Sequence, residues 1–312
     1  MKKIFLFPGQ GSQYPGMALD FWEASSEVKK LFALASDVNG KDMKTLLAET
    51  DAAILKRSDV SQMTVTLANL SAMCFMKERG LAPDGVAGFS LGEYAALATA
   101  GVISTEDCFR LVKARGEIMQ ATVDGSEGGA LNTGMGAVIG LSPQTITALL
   151  DEWNIDGLFA ANFNSNRQTV VSGTASALAE AEALFKSNGA KRFVRLPVAG
   201  AFHSPLMRSA VERFALPLEG VLFNDPCLPL YSNVSGKRIT SGAEAKRLAL
   251  PHITSPVRWT DEEASIMADG FEAAFETGPG RTLAGLWKDA NNAVPCHAAG
   301  TVQEILKIES SI

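Results

Sequence analysis

The chain is 312 residues long, 46% hydrophobic and 20% charged, with a formal net charge of -6. That is the make-up of a packed globular protein, with room for one large domain or a large domain and a smaller one attached. The acidic balance gives no support to nucleic-acid binding, and no apolar run reaches the length of a membrane span, so a soluble protein is expected.

Ile4 to Phe7 (IFLF) reads as a short buried strand stopped by the turn-forming PGQG. Preceded only by Met1, Lys2 and Lys3, that apolar run is too short for a secretory core. The four cysteines, Cys74, Cys108, Cys227 and Cys296, lie far apart with neither a CxxC nor a metal-ligand spacing. Together these features predict a cytoplasmic protein without a disulfide framework or a bound metal. Amphipathic segments fill much of residues 16–80. A second strand is expected at Val86 to Phe89, then a helix over LGEYAALATA closed by Gly101. Ser104 and Asp107 resemble a capping box that opens a helix running to about Val123. Strands alternating with helices predict an α/β architecture.

Asp124 to Gly134 (DGSEGGALNTG) has the composition of a linker or loop. After it come an expected strand (Met135 to Ile139), a helix (Pro143 to Trp153) and two strands (Leu158 to Phe163, Thr169 to Ser172). A helix (Ala175 to Asn188) and a strand (Arg192 to Leu196) follow. The order β-α-β-β-α-β is the ferredoxin-like pattern, and it predicts a small domain at 132–197 inserted into a larger one formed by 1–131 and 198–312. The basic cluster Lys186, Lys191, Arg192 and Arg195 falls on this insert and reads first as a solvated helix end and strand edge.

Three features carry chemistry. GFSLGEY (Gly88 to Tyr94) places Ser90 in a strand, G-x-S-x-G, helix context, the pattern of a nucleophile elbow, with the Leu91 amide as a natural oxyanion donor. On the motif alone, a helix-capping serine in a structural turn is an equal reading. Of only three histidines, His297 reads as a loop residue and His252 as a packed structural one. His203, in a small-residue turn before a proline, is the chosen base. Arg115 sits in the middle of the apolar stripe formed by Cys108, Leu111, Val112 and Met119. A charge there needs a partner, either an internal acid, a snorkelled path to water, or a carboxylate that arrives with substrate.

Set in their surroundings, these residues resemble the malonyl-CoA:acyl-carrier-protein transacylases, stand-alone relatives of polyketide-synthase acyltransferase domains. FPGQGSQ (Phe7 to Gln13), GFSLGEY, the arginine in VKARGEIMQ, NFNS (Asn162 to Ser165), GAFHS (Gly200 to Ser204), TSPVRW (Thr254 to Trp259) and ETGPG (Glu276 to Gly280) match in type and order. The resemblance implies an α/β-hydrolase-like core with a ferredoxin-like insert. It implies Ser90 as nucleophile, His203 as base, the Gln10 and Leu91 amides as oxyanion hole, Arg115 as carboxylate clamp and Phe202 as the bulky wall of a malonyl-selective pocket. The carbonyl that orients the histidine would be that of His252, where the family usually has glutamine. Malonyl-CoA is then the donor substrate and holo acyl carrier protein the partner, with no permanently bound cofactor and a monomer expected. The cluster 186–195 would offer an acidic carrier a docking surface. Fatty acid synthesis is the expected pathway. A trans-acting polyketide enzyme, a malonate decarboxylase subunit, a serine thioesterase or esterase, and a non-catalytic scaffold for CoA or carrier protein are the alternatives. Phe89 stands where the family usually has histidine, Asn166 where it has proline, and the linker 124–134 looks longer than usual.

Overall fold

A computed structural model of the chain describes residues 1–125, 132–198, 200–290 and 293–310. Residues 126–131 of the linker expected over 124–134 lie outside the described residues.

The chain forms a mixed α/β fold with two sheets. The strands are β1 (Lys3–Phe7), β2 (Gly85–Gly88), β3 (Thr133–Ile139), β4 (Leu158–Ser165), β5 (Gln168–Thr174), β6 (Arg192–Arg195), β7 (Leu230–Tyr231), β8 (Arg238–Ile239), β9 (Ala273–Glu276) and β10 (Cys296–Ala298). The larger sheet has the order β10-β9-β1-β2-β7-β8, parallel except for the β7–β8 hairpin. Its central strands are covered on both faces, which is why IFLF is apolar throughout and does not alternate. Ile4 and Leu6 pack with Trp259 and Trp287 on one face. Phe5 and Phe7 join the main core on the other. Phe7 pairs with Gly88, so the loops after β1 and β2 leave side by side from the carboxyl edge of the sheet, the usual place for a site in parallel α/β sheets.

The smaller sheet is antiparallel, with the order β4-β5-β3-β6. Helices Pro143–Trp153 and Ala175–Ser187 cover one of its faces through Val138, Ile146, Val171, Leu178 and Phe185. On the other face Met135, Ala137 and Val170 join the main core. The TSPVRW segment ties the two sheets together: Val257 N–H donates to the Ala161 carbonyl at 2.8 Å, and Phe163 N–H to the Val257 carbonyl at 2.9 Å.

Helix Thr105–Asp124 starts at Ser104, whose hydroxyl accepts the Asp107 N–H at 3.0 Å, and ends at Gly125 with φ 73°. One expected boundary needs correcting at the site. The strand predicted to run to Phe89 stops at Gly88, and the following helix starts at Gly92. Phe89 is apolar because its ring packs edge-on against Trp259, 5.4 Å away, and not because the strand continues. No helix among the described residues is long and apolar enough to cross a membrane.

Candidate active site

Between β2 and helix Gly92–Thr99, Ser90 is held at φ 49°, in the left-handed region. A serine there costs about 1–3 kcal/mol, so the neighbouring structure must enforce it. Part of that enforcement is close packing. A Cβ on Gly92 would lie 2.0 Å from the Phe7 carbonyl oxygen, so only glycine lets the helix start against the end of β1. The turn lifts the Ser90 hydroxyl towards His203, whose Nε2 is 2.7 Å from Oγ.

His203 is also left-handed, at φ 57°, and only 4% exposed. Its Nδ1 lies 3.1 Å from the Ser255 carbonyl oxygen. Nδ1–H donating to that carbonyl leaves Nε2 unprotonated and free to accept the serine proton. Burial, helped by the nearby Arg115 charge, pushes the His203 pKa down to about 3, against the opposing pull of the Ser255 and His252 backbone. Sequence reasoning assigned the orienting carbonyl to His252. At hydrogen-bond distance the structure has Ser255, three residues on, with the His252 backbone as the weaker of two contributions. The His252 side chain is buried and edge-on to both His203 and Tyr94. Its Nε2 is 3.5 Å from Glu93, but burial keeps the ring neutral, so the contact is not an ion pair.

Arg115 lies 2% exposed on helix Thr105–Asp124. Its Nη1 donates to Gln62 Oε1 at 2.9 Å, and its guanidinium stands 5.6 Å from the Tyr94 ring centre. Among the described residues it has no acidic partner within 4.0 Å, and Nε and Nη2 have no hydrogen-bond acceptor. Of the explanations open for this charge, the internal salt bridge and the snorkelled path to water are therefore not what the structure has. Ser90, His203 and Arg115 all line one cavity of about 240 Å³, together with Gln10, Phe89, Phe202 and residues of the second sheet.

A family model for the acyl transferase domain matches residues 4–305. The malonyl CoA-acyl carrier protein transacylase of Bacillus subtilis (strain 168) is 36% identical over 308 residues, covering 98% of this chain and 96% of that protein. That of Escherichia coli (strain K12) is 37% identical over 287 residues, 91% of each. The chain belongs to the malonyl CoA-acyl carrier protein transacylase family. Among solved structures, a malonyl-transacylase in complex with its type II polyketide-synthase acyl-carrier protein superposes with a TM-score of 0.93. It is 33% identical, with both chains fully covered.

Within this transacylase frame the remaining predicted residues fall around the same cavity. A Cβ on Gly9 would lie 2.4 Å from the Phe89 carbonyl oxygen, so the PGQG loop packs directly on the elbow and sets Gln10 beside Leu91. Among the described residues no acceptor pairs with the backbone N–H of either Gln10 or Leu91. Phe202 forms part of the cavity wall, and its carbonyl accepts the Ser172 hydroxyl at 2.5 Å. Phe89 also lines the cavity, so the departure from histidine puts an apolar ring beside Ser90. Asn166 lies exposed in the β4–β5 turn and is not among the residues lining the cavity. Sequence reasoning gave no role to Gln62, to Ser255, or to Asn162, Asn164 and Gln168, of which the last three line the cavity. A clue to Gln62 was present: with Asn69 it is one of two amides among the apolar and small residues in the middle of helix Ser58–Glu78.

The low His203 pKa has a measurable consequence for a transacylase. The imidazole is the competent base wherever it is neutral, and kcat/KM reports the free enzyme. The rate of Ser90 acylation by malonyl-CoA, as kcat/KM, is expected to stay level within about two-fold from pH 8 down to pH 5. A fall centred near pH 6.5 in rapid-quench acylation would show that His203 is not desolvated as described.

Proposed function

We propose that the protein transfers a malonyl group from malonyl-CoA to the phosphopantetheine thiol of acyl carrier protein through a malonyl-Ser90 intermediate. The observation that carries this reading is the buried Arg115 guanidinium, with two unpartnered nitrogens, in the same cavity as a serine hydroxyl 2.7 Å from a neutral imidazole. Such a fork takes a carboxylate in two parallel bonds, and malonyl differs from acetyl by just that group.

In the first half-reaction the Ser90 Oγ–H proton passes to His203 Nε2 as Oγ attacks the thioester carbon. The oxyanion is received by the Gln10 and Leu91 amides; loss of one such donor costs about 2.7–4 kcal/mol of barrier. Collapse expels the CoA thiolate, which takes the proton from His203. The carrier-protein thiol then gives its proton to His203 and repeats the sequence in reverse sense, freeing Ser90. A backbone carbonyl suffices to orient His203 here, and the absence of a carboxylate at Nδ1 among the described residues speaks against the esterase alternative.

This reading carries with it an α/β-hydrolase-like core, formed by 1–131 and 198–312, and a ferredoxin-like insert at 132–197. The antiparallel order β4-β5-β3-β6 and the helices between its strands support the insert. The wall that the insert contributes, Met135, Ala137 and Val170, gives it a part in the acyl pocket. Fatty acid synthesis is the pathway proposed for this transfer. The test is intact mass after brief exposure to malonyl-CoA, then to holo acyl carrier protein or to buffer. A malonyl adduct that is stable in buffer and discharged onto the carrier is the expected result. An adduct lost equally fast to water would make the protein a hydrolase, and no adduct would leave only a binding role.

A further inference from the structure

Asn233 lies in the turn between β7 and β8, far in sequence from every residue of the catalytic pair, yet it is 1% exposed and uses each of its polar groups. Its side-chain Oδ1 accepts the backbone N–H of Ser90 at 2.5 Å. Its Nδ2 donates to the Gly88 carbonyl at 2.7 Å and to Glu262 Oε1 at 2.6 Å. Its backbone N–H donates to Glu93 Oε2 at 2.8 Å, and its carbonyl accepts the Arg258 N–H at 2.9 Å.

These bonds fall into two groups. Three of them, to Gly88, Ser90 and Glu93, grip both sides of the elbow, where Ser90 sits in a strained left-handed conformation. The other two, from Arg258 and to Glu262, hold the start of helix Trp259–Ala268. That helix is the continuation of the TSPVRW segment, and the Ser255 carbonyl three residues before Arg258 is the one that orients His203. One side chain and its own peptide groups thus bridge the segment bearing the nucleophile and the segment steering the base.

We infer that Asn233 is a positioning residue that sets the register of Ser90 against His203, clamping the strained elbow with its side chain while its carbonyl anchors the segment that aims the imidazole. The inference rests on Ser90 and His203 acting as nucleophile and base. It requires an asparagine: the side chain must accept at one atom and donate twice at the other, which neither a carboxylate nor a hydroxyl can do. A shift of about 1 Å between reacting groups is enough to cost about 10²-fold in rate.

The test uses Asn233→Ser, which keeps both backbone bonds, and Asn233→Asp, which keeps the acceptor for Ser90 but loses both donated bonds and sets a carboxylate oxygen against the Gly88 carbonyl and Glu262. Each is assayed well below its own melting temperature by two readouts: steady-state malonyl transfer, and the rate at which a small neutral sulfonyl fluoride blocks Ser90. Both variants are expected to lose about 10²-fold in kcat with KM for malonyl-CoA nearly unchanged, and to be blocked more slowly by a similar factor. Adding Glu262→Gln to Asn233→Asp rebuilds the bond with donor and acceptor exchanged, and is expected to recover about ten-fold of that loss. A merely structural role would lower the melting temperature while leaving both rates per folded molecule within about two-fold of the parent, and that result overturns the inference. So does a double variant no faster than Asn233→Asp. Sulfonyl fluoride blocking needs no malonyl-CoA, so it judges Asn233 even if the parent enzyme fails to form the malonyl adduct.

Discussion

Arg115→Ala is expected to lose malonyl transfer by about 10²–10⁴-fold while acetyl transfer from acetyl-CoA is kept or raised. The size follows from two charge-assisted hydrogen bonds to the substrate carboxylate, about 1.5–3 kcal/mol each, with about 1.4 kcal/mol per factor of ten. The direction for acetyl follows from the other half of the balance. The guanidinium is buried, its Nη1 is occupied by Gln62, and Nε and Nη2 have no acceptor among the described residues. With an acetyl group in the cavity those two donors stay unpaired and lose whatever water reached them, which the wild type suffers and the alanine variant does not. A second signature comes from His203. The Arg115 charge is the second cause of its low pKa, after burial, so removing it should raise that pKa. The acid limb of acetyl transfer in Arg115→Ala should therefore lie at higher pH than in the parent. Steady-state rates with both donors across pH check both points, and an equal loss for malonyl and acetyl would dismiss the clamp.

How legible this site was in the sequence depended on how local each constraint is. The elbow could be read from seven residues because a strand end, a tight turn and a helix start all leave marks on the same short stretch. Arg115 could be read from periodicity, because a charge on an apolar stripe is conspicuous whatever it meets. His203 could be chosen by elimination among three histidines. By contrast, the group that orients His203 is the carbonyl of Ser255, and a carbonyl leaves no trace in residue type. The partners Gln62 and Asn233 lie 53 and 143 positions from Arg115 and Ser90, and nothing in a single sequence pairs residues so far apart. For the fold, the element order of the second sheet was readable because its strands alternate with well-capped helices. The end of β2 was misread by one residue because Phe89 is apolar for a tertiary reason, its contact with Trp259.

Ser90→Ala and His203→Ala should each cost about 10⁴–10⁶-fold in transfer, and the double variant should be no slower than the worse of the two. The non-additivity is the informative part. If the imidazole acts only by taking and returning the Ser90 proton, then without the hydroxyl it has nothing left to do. The 2.7 Å contact between Oγ and Nε2 makes the pair one unit. Alanine tolerates the left-handed φ of 49° about as poorly as serine, so the strain at the elbow is unchanged and the fold should hold. His203→Ala differs from Ser90→Ala in one respect: it keeps the nucleophile. It should still form a malonyl adduct on long exposure, and that adduct should pass slowly to the carrier, because the second half-reaction needs the same base to deprotonate the incoming thiol. Intact mass over time separates the cases. A slow adduct with slow discharge in His203→Ala, and none in Ser90→Ala, places one base in both half-reactions. Fast discharge from His203→Ala would mean that the carrier thiol finds its proton acceptor elsewhere. His252 is one candidate, with its ring centre 5.8 Å from that of His203 and its ring held neutral by burial.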